Sequence, residues 1–113
     1  MTDKAKKYLS DIQYAISLIE NFLQNTGNYS AFETYLKTQS AVERQLGIIG
    51  EAVNKFRQEE ITKKLMHTKE IVNFRNRVIH SYDNIENAIV WTITKNHLPT
   101  LKAEIETLLT LKY

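Results

Sequence analysis

Apolar side chains recur every three or four residues along most of the chain, which is the spacing of one face of an α-helix. In the first segment these positions are Tyr8, Ile12, Ile16, Ile19 and Leu23. The spacing predicts a first helix from about Asp3 to Asn25. The sequence "NTGNYS", at 25–30, then contains Asn, Gly and Ser, which predict the end of that helix and a short loop.

A second helix is predicted from "SAVERQLGIIGEAVNKFRQEE", at 40–60, where the apolar residues with helical spacing are Val42, Leu46, Ile49, Val53 and Phe56. Before it, Ser30 and Glu33 match the capping-box pattern, so "AFETYLKTQ" is expected to form one or two helical turns. Gly47 and Gly50 lie inside the second helix, where each glycine costs about 1 kcal/mol relative to alanine. We therefore expect close approach of a neighbouring helix at both glycines, in preference to a ligand role.

The region before the third helix is ambiguous, because "ITKKLMH", at 61–67, fits either a loop or the start of a helix. A third helix is predicted to begin near Thr68 and to end between His80 and Asp83. Asn84 is the expected N-cap of a fourth helix, because an asparagine side chain can accept a hydrogen bond from the first helical turn.

The fourth helix has a predicted buried stripe of Ile85, Ile89, Ile93, Leu101, Ile105 and Leu108. Pro99 should kink or split this helix, since proline has no backbone N–H and its ring clashes with the preceding turn. No stretch of useful length alternates apolar and polar residues as a β-strand does. The pattern therefore predicts an all-α fold, with residues 1–113 forming one domain built as an up-down bundle of four main helices.

Composition and charge exclude several classes of function. With 113 residues and 42% hydrophobic content, the chain can build one core. Its formal charge of +2 and isoelectric point near 8.8 are too mild for nucleic-acid binding by bulk charge, so any anion site must be local. The absence of cysteine excludes disulfides and thiol catalysis. Because there is no apolar leader and no run of about eighteen apolar residues, we expect a cytoplasmic protein without membrane contact.

Candidate chemistry is concentrated in "NFRNRVIHSYDN", at 73–84. At about 100° per residue, one face of a helix in this segment carries Asn73, Asn76, Arg77 and His80. Arg75 lies well round from His80, but it would align with Tyr82 if the helix continued. Arg75 and His80 could therefore meet only through a distorted helix end, suitable rotamers or a groove that both sides of the helix line.

Arginine and histidine together suit metal-free cleavage of RNA. A histidine with a pKa of about 6.5 can take or give a proton near neutral pH, and an arginine presents a planar fork to phosphate oxygens. The 2′-hydroxyl would attack the adjacent phosphate while a histidine assists proton transfer and an arginine stabilises the developing charge. Asn76 could orient the phosphate or the imidazole. Each residue type also has a structural explanation: histidine partners the helix dipole, arginines are surface charges and tyrosine borders the core. On the pattern alone, the structural explanations are favoured.

The same segment resembles a known family. Arg75, Asn76, His80 and Tyr82 resemble the Arg-x4-His-x-Tyr motif of the HepT-like branch of the HEPN family, which consists of small all-helical ribonuclease toxins. "AVERQLGIIGEAVNKF" resembles the family's Arg-x-Leu-x-x-Ile-Gly-Glu-Ala segment, and "IVWTITKNHLPTLKAEIETLL" is similar to its C-terminal helix. "YLSDIQYAISLIENFL" is similar to its first helix, so the resemblance runs in order along nearly the whole chain.

The resemblance implies a bundle of four or five helices that forms a homodimer, with the arginine and histidine of both subunits lining a cleft. It implies that Arg75 and His80 are the catalytic pair, and that Asn76 and Arg77 support them at the RNA phosphate. It also implies a cognate nucleotidyltransferase antitoxin of the MntA type, which silences the toxin by transferring AMP from ATP to Tyr82. The added phosphate and nucleoside would repel and occlude RNA beside the cleft. Neither a cofactor nor a metal is expected.

The sequence departs from the family in two places. Ser81 stands where relatives commonly have glycine, so a left-handed turn before Tyr82 is less favourable here. The segment "KKLMHTKEIVNF" lacks the Trp and Pro that many relatives carry.

His67 and Glu70 are three residues apart, but no third metal ligand is evident. The alternative function is a non-catalytic helical partner or substrate-binding subunit of a small nucleotidyltransferase, and a third is a purely structural dimerising bundle.

Overall fold

The structure is a computed structural model that describes the backbone of residues 1–80 and 86–110, and the side chains of these residues except 78–80. The helices are α1 (Asp3–Phe22), α2 (Tyr29–Thr34), α3 (Leu36–Glu59), α4 (Lys69–His80), α5 (Asn87–Thr92) and α6 (Leu98–Thr110). A π-helical segment, Ile93–His97, joins α5 to α6 and is called the π segment. The described residues contain no β-strand, so the all-α prediction is confirmed for them. None of their helices is long and apolar enough to cross a bilayer.

Helix α3 runs antiparallel to α1 and also to α4, as contacts between their ends show. At the start of α1, the Thr2 hydroxyl donates to a Glu59 carboxylate oxygen at the end of α3, 3.1 Å away. Between α3 and α4, Arg57 Nη2 near the end of α3 donates to the hydroxyl of Thr68, just before α4, over 2.7 Å. Residues 61–67 between them form a loop, which settles the ambiguity of that segment.

The C-terminal helices pack against both α1 and the loop before α4. Lys102 on α6 pairs with Glu20 near the end of α1 over 3.0 Å, and this hydrogen bond raises the pKa of the lysine. Glu104 accepts hydrogen bonds from the backbone N–H groups of Met66, at 2.7 Å, and His67, at 3.1 Å. The last helix therefore fixes the loop from which α4 starts.

The core follows the predicted apolar stripes. Its largest fully buried side chains come from α1, α2, α3, α4 and α6: Leu9, Ile12, Ile16, Ile19, Phe32, Val42, Leu46, Ile49, Phe56, Ile71, Leu101 and Ile105. Three predicted stripe positions, Tyr8, Ile89 and Leu108, are only partly buried and pack against the edge of this core. Burial of each large apolar side chain contributes about 1.5–3 kcal/mol, so these stripes hold the bundle together.

The first two helix boundaries differ from the predictions. Helix α1 ends at Phe22 rather than Asn25, because the chain turns through hydrogen bonds between residues three apart, such as Thr26 N–H to the Leu23 carbonyl at 2.9 Å. The N-cap of α2 is Asn28, whose side chain accepts from Ala31 N–H at 2.9 Å. The predicted Ser30 cap is therefore wrong, since an asparagine with an extended backbone precedes it and caps the same turn.

Helix α3 begins at Leu36, four residues before the predicted start at Ser40. The buried Gln39 side chain explains the early start. Its amide nitrogen donates to the carbonyl oxygens of Phe32 and Glu33, each at 2.8 Å. These bonds satisfy carbonyl groups at the end of α2, so the chain needs only one residue between the two helices.

The predicted fourth helix is interrupted near Pro99, as the sequence predicts. The interruption is a change from α-helix to π-helix over the π segment, between α5 and α6. Leu98 N–H donates to the carbonyl of Ile93, five residues earlier, which is the π-helical pattern. This wider turn lies directly before the proline, which cannot donate a backbone hydrogen bond. At its other end the helix begins at Asn87, after Glu86, whose side chain makes no capping bond. The predicted cap, Asn84, lies outside the described residues.

Gly50 marks the closest approach of α3 and α4. A Cβ at position 50 would lie 2.5 Å from Cβ of Arg75 and 3.2 Å from the carbonyl oxygen of Ile71. Neither the base of a side chain nor a helical backbone can move away cheaply. The close approach predicted at Gly50 is therefore confirmed. The same prediction for Gly47 is wrong, because a Cβ there would meet none of the residues that the structure describes within 4 Å.

Replacing Gly50 by alanine should lower the free energy of unfolding by about 1–3 kcal/mol, because the added methyl group forces α3 and α4 apart. Gly47→Ala is the matched control on the same helix. It should raise that free energy by up to about 1 kcal/mol, since alanine is the better helix former and the position has room. Urea unfolding of both variants measures the difference, and equal effects would contradict the contact assigned to Gly50.

Candidate active site

The Arg75 side chain leaves α4 where that helix touches α3. Because Gly50 has no Cβ, the stem of Arg75 lies directly against the α3 backbone. Ile71 and Phe74 are buried and hold this part of α4 on the core. Only 26% of the Arg75 side chain is exposed as a result. Two helices therefore determine where this guanidinium group can lie.

Within the part of the chain that the structure describes, two hydrogen bonds and one unpaired nitrogen describe the surroundings of the Arg75 guanidinium. Nη2 donates to Oε2 of Glu51 on α3, at 2.5 Å, in a charge-assisted hydrogen bond. Nη1 donates to Oδ1 of the adjacent Asn76 at 3.2 Å. Nε is buried and has no acceptor among the described residues. Glu51 thus orients the guanidinium, while Nη1 donates, among the described residues, only to the neutral amide oxygen of Asn76 over a longer distance.

Glu51 is a site residue that the sequence reasoning did not single out. It precedes Arg75 by 24 residues and belongs to a different helix, so helical periodicity cannot connect the two. A signal was nonetheless present, since Glu51 directly follows Gly50, a predicted point of helix contact. An acidic residue at the edge of such a contact is well placed to meet a cation from the neighbouring helix.

His80 and Tyr82 were predicted to complete the motif. The backbone of α4 continues as a regular α-helix through His80, its last residue, whereas the His80 side chain and all of Tyr82 and Ser81 lie outside the described residues. At about 100° per residue, positions 75 and 80 lie about 140° apart around the axis of such a helix. The distorted helix end that was one way to bring them together is therefore absent up to residue 80. Their pairing remains a prediction.

Asn76 and Arg77, the predicted phosphate contacts, serve different parts of the surface. Asn76 is exposed and accepts a hydrogen bond from Arg75, so it belongs to the seam between α3 and α4. Arg77 is exposed on the other side of α4, where it lines a groove toward α5 and the π segment. The structure thus joins Asn76 to Arg75 and separates Arg77 from both.

Comparison with known proteins shows which family the chain belongs to. Residues 12–108 match the family described as "HepT-like: Ribonuclease HepT-like". The chain belongs to the HepT-like ribonuclease family. The predicted resemblance to this family is confirmed, and with it the prediction that the protein is a ribonuclease.

Individual HepT-like relatives match along nearly their whole length. The chain is 36% identical over 110 residues to "Probable ribonuclease HepT" of Thermococcus cleftensis, which covers 91% of this chain and 94% of that protein. It is 35% identical over 103 residues to "Putative RNase MJ1216" of Methanocaldococcus jannaschii, covering 89% of this chain and 84% of the relative. No solved structure matches the chain.

The contact between Glu51 and Arg75 can be measured by a double-mutant cycle on unfolding free energies. The variants Glu51→Gln, Arg75→Met and their combination should give a coupling energy of about 1 kcal/mol, because the pair is partly buried and hydrogen-bonded. The matched control is Lys7 with Asp11, an exposed pair one turn apart on α1 with a 3.0 Å contact. Its coupling should be about 0.3–0.5 kcal/mol. A Glu51–Arg75 coupling no larger than the control would contradict the orienting role of Glu51.

Proposed function

We propose that this chain is the toxin of a toxin–antitoxin system, a metal-independent endoribonuclease whose catalytic pair is Arg75 and His80. The placement of Arg75 carries the proposal. Gly50 admits the stem of Arg75 to the seam between two helices, and Glu51 orients its guanidinium. Such prior orientation of a cation is what stabilisation of a charged transition state requires. Membership of a ribonuclease family supports the reaction type.

In the proposed reaction, the imidazole of His80 takes the proton of a ribose 2′-hydroxyl while the 2′-oxygen attacks the adjacent phosphorus. The bond between the 2′-oxygen and phosphorus forms, the bond to the 5′-oxygen breaks, and that oxygen takes a proton from the protonated imidazole as it leaves. The products are a 2′,3′-cyclic phosphate and a 5′-hydroxyl. Arg75 stabilises the charge that grows on the phosphate oxygens between these events.

The contacts of Arg75 indicate how it would receive a phosphate. Its Nη2 group is held by the carboxylate of Glu51, but Nη1 has only the amide oxygen of Asn76 at 3.2 Å. A phosphate oxygen is a stronger acceptor than an amide oxygen, so Nη1 is the donor that turns to RNA. Asn76 is then free to use its amide group on the same phosphate.

A homodimer would bring an arginine and a histidine of the pair into one site. Because positions 75 and 80 lie about 140° apart around a regular helix, one copy of α4 brings both side chains into a single site only through suitable rotamers or a groove that both sides of the helix line. Two copies of α4 that face each other across a cleft can supply arginine from one side and histidine from the other. We therefore place the active site between two subunits.

Tyr82 is the proposed point of control. A cognate nucleotidyltransferase antitoxin of the MntA type would transfer AMP from ATP to the phenolic oxygen, with release of pyrophosphate. Tyr82 follows the catalytic histidine by two residues, so the added phosphate would lie beside the RNA path. Its negative charge and the bulk of the nucleoside would then exclude RNA from the cleft.

Cleavage of RNA by the purified protein tests the catalytic pair. Arg75→Ala and His80→Ala should each lower the cleavage rate by about 10²–10⁴-fold, the usual contribution of a general acid–base or charge-stabilising group. Arg44→Ala and His67→Ala change the same residue types at exposed positions elsewhere and should cleave as the wild type does. Tyr82→Phe should cleave RNA but resist silencing by the antitoxin and ATP.

Two outcomes would contradict the proposal. If the wild-type protein leaves RNA intact yet accepts AMP from the nucleotidyltransferase, the second candidate function replaces it, namely a non-catalytic partner of that enzyme. If the protein cleaves RNA and the Arg75 and His80 variants cleave equally fast, the active site lies elsewhere in the chain.

A further inference from the structure

A second groove lies on the opposite side of α4 from the contact between Arg75 and Glu51. It runs between α4 and the helix formed by α5 and the π segment, and its volume is about 330 Å³. The residues that give it chemical character are Glu70, Asn73, Arg77, Ile89, Thr92 and His97. Its volume falls at the lower end of small-molecule sites, which suits one nucleotide.

The polar groups of the groove are arranged in order along α4. Glu70, Asn73 and Arg77 follow at steps of three and four residues, so they share one face of the helix. With a rise of about 1.5 Å per residue, Glu70 and Arg77 are separated by about 10 Å along the helix axis. An anion and a cation therefore mark the two ends of the groove, and an amide lies between them.

Apolar side chains form the wall between these ends. Phe74 and Ile93 are buried at the base of the groove, and Ile89 is partly buried at its side. A flat aromatic base could pack on this wall while its polar edge and its phosphate reach the two ends. Apolar walls with a few convergent polar groups are the usual composition of a small-molecule site.

The π segment determines the position of His97 at the anionic end. A π turn contains one more residue than an α turn, so it changes the direction of the side chains that follow, and such turns are frequent at functional sites. His97 Nδ1 lies 3.8 Å from Oε2 of Glu70, which is beyond hydrogen-bonding distance. The Glu70 carboxylate is 47% exposed and has no other ion-pair or hydrogen-bond partner among the described residues. Both of its oxygens can accept hydrogen bonds from a ligand.

We infer that this groove binds a guanine nucleotide of the RNA, as a subsite next to the cleavage site. A carboxylate accepts two parallel hydrogen bonds from a pair of adjacent donors. Among the four RNA bases, only guanine presents such a pair, N1–H beside its 2-amino group, on the Watson–Crick edge that proteins read in single strands. Arg77 binds the phosphate of the same nucleotide at the other end, and Asn73 donates to the base. This inference rests on the proposed ribonuclease function and names a sequence preference for it.

Binding of mononucleotides tests the groove without reference to cleavage. In NMR titrations of the full chain, 5′-GMP should bind at least about tenfold more tightly than AMP, CMP, UMP or inosine 5′-monophosphate, which lacks the 2-amino group. Glu70→Gln should weaken GMP binding by about tenfold. The control Glu106→Gln changes an exposed carboxylate on α6, outside the groove, and should leave GMP binding unchanged. Arg77→Ala should weaken all nucleotides alike. Equal binding of the nucleotides, no binding, or unchanged GMP binding by Glu70→Gln would each overturn the inference.

Mapping of cleavage products on RNA separates this inference from the proposed function. Wild-type protein should cut next to guanosine, and Glu70→Gln should lose that preference while it still cleaves RNA. Cleavage without preference for guanosine would overturn the subsite and leave the ribonuclease proposal intact. If RNA is not cleaved at all, the ribonuclease proposal fails, and the selectivity for GMP alone decides whether the groove recognises guanine.

Discussion

Helix α4 lies as close to α3 as it does because position 50 has no side chain. The Cβ of Arg75 occupies the space that any other residue would fill, 2.5 Å from where a Cβ at position 50 would be. This contact fixes both the separation of the two helices and the direction in which Arg75 leaves α4. The ion pair with Glu51 depends on it, since a wider seam would carry the guanidinium away from the carboxylate.

The same contact divides the surface of α4 into two faces that carry polar residues. One face meets α3 and presents Arg75 with Asn76, and the opposite face presents Arg77 to the groove beside the π segment. A short helix that carries polar residues on both sides must be held firmly by the few apolar residues between them. Ile71 and Phe74 supply this anchorage.

Helical periodicity was sufficient to predict the all-α fold and most of the core, because amphipathic helices bury residues at regular spacing. It could not distinguish Gly50 from Gly47, since the two glycines lie three residues apart and only the position of α4 separates their surroundings. Periodicity did not connect Glu51 to Arg75, because the two residues are distant in sequence. It did not predict the contact of His97 with the groove either, because the direction of that side chain depends on a π turn. The resemblance to the HepT-like family identified the motif, whereas these tertiary contacts required the structure.

In the proposed mechanism, the glycine contact between α3 and α4 positions Arg75 for cleavage of RNA. Single-turnover cleavage by Gly50→Ala and Gly47→Ala tests it most directly, at a temperature where unfolding measurements show both variants fully folded. The account predicts that Gly50→Ala cleaves more slowly than the wild type, whereas Gly47→Ala cleaves at the wild-type rate. Equal wild-type rates for the two folded variants would contradict it.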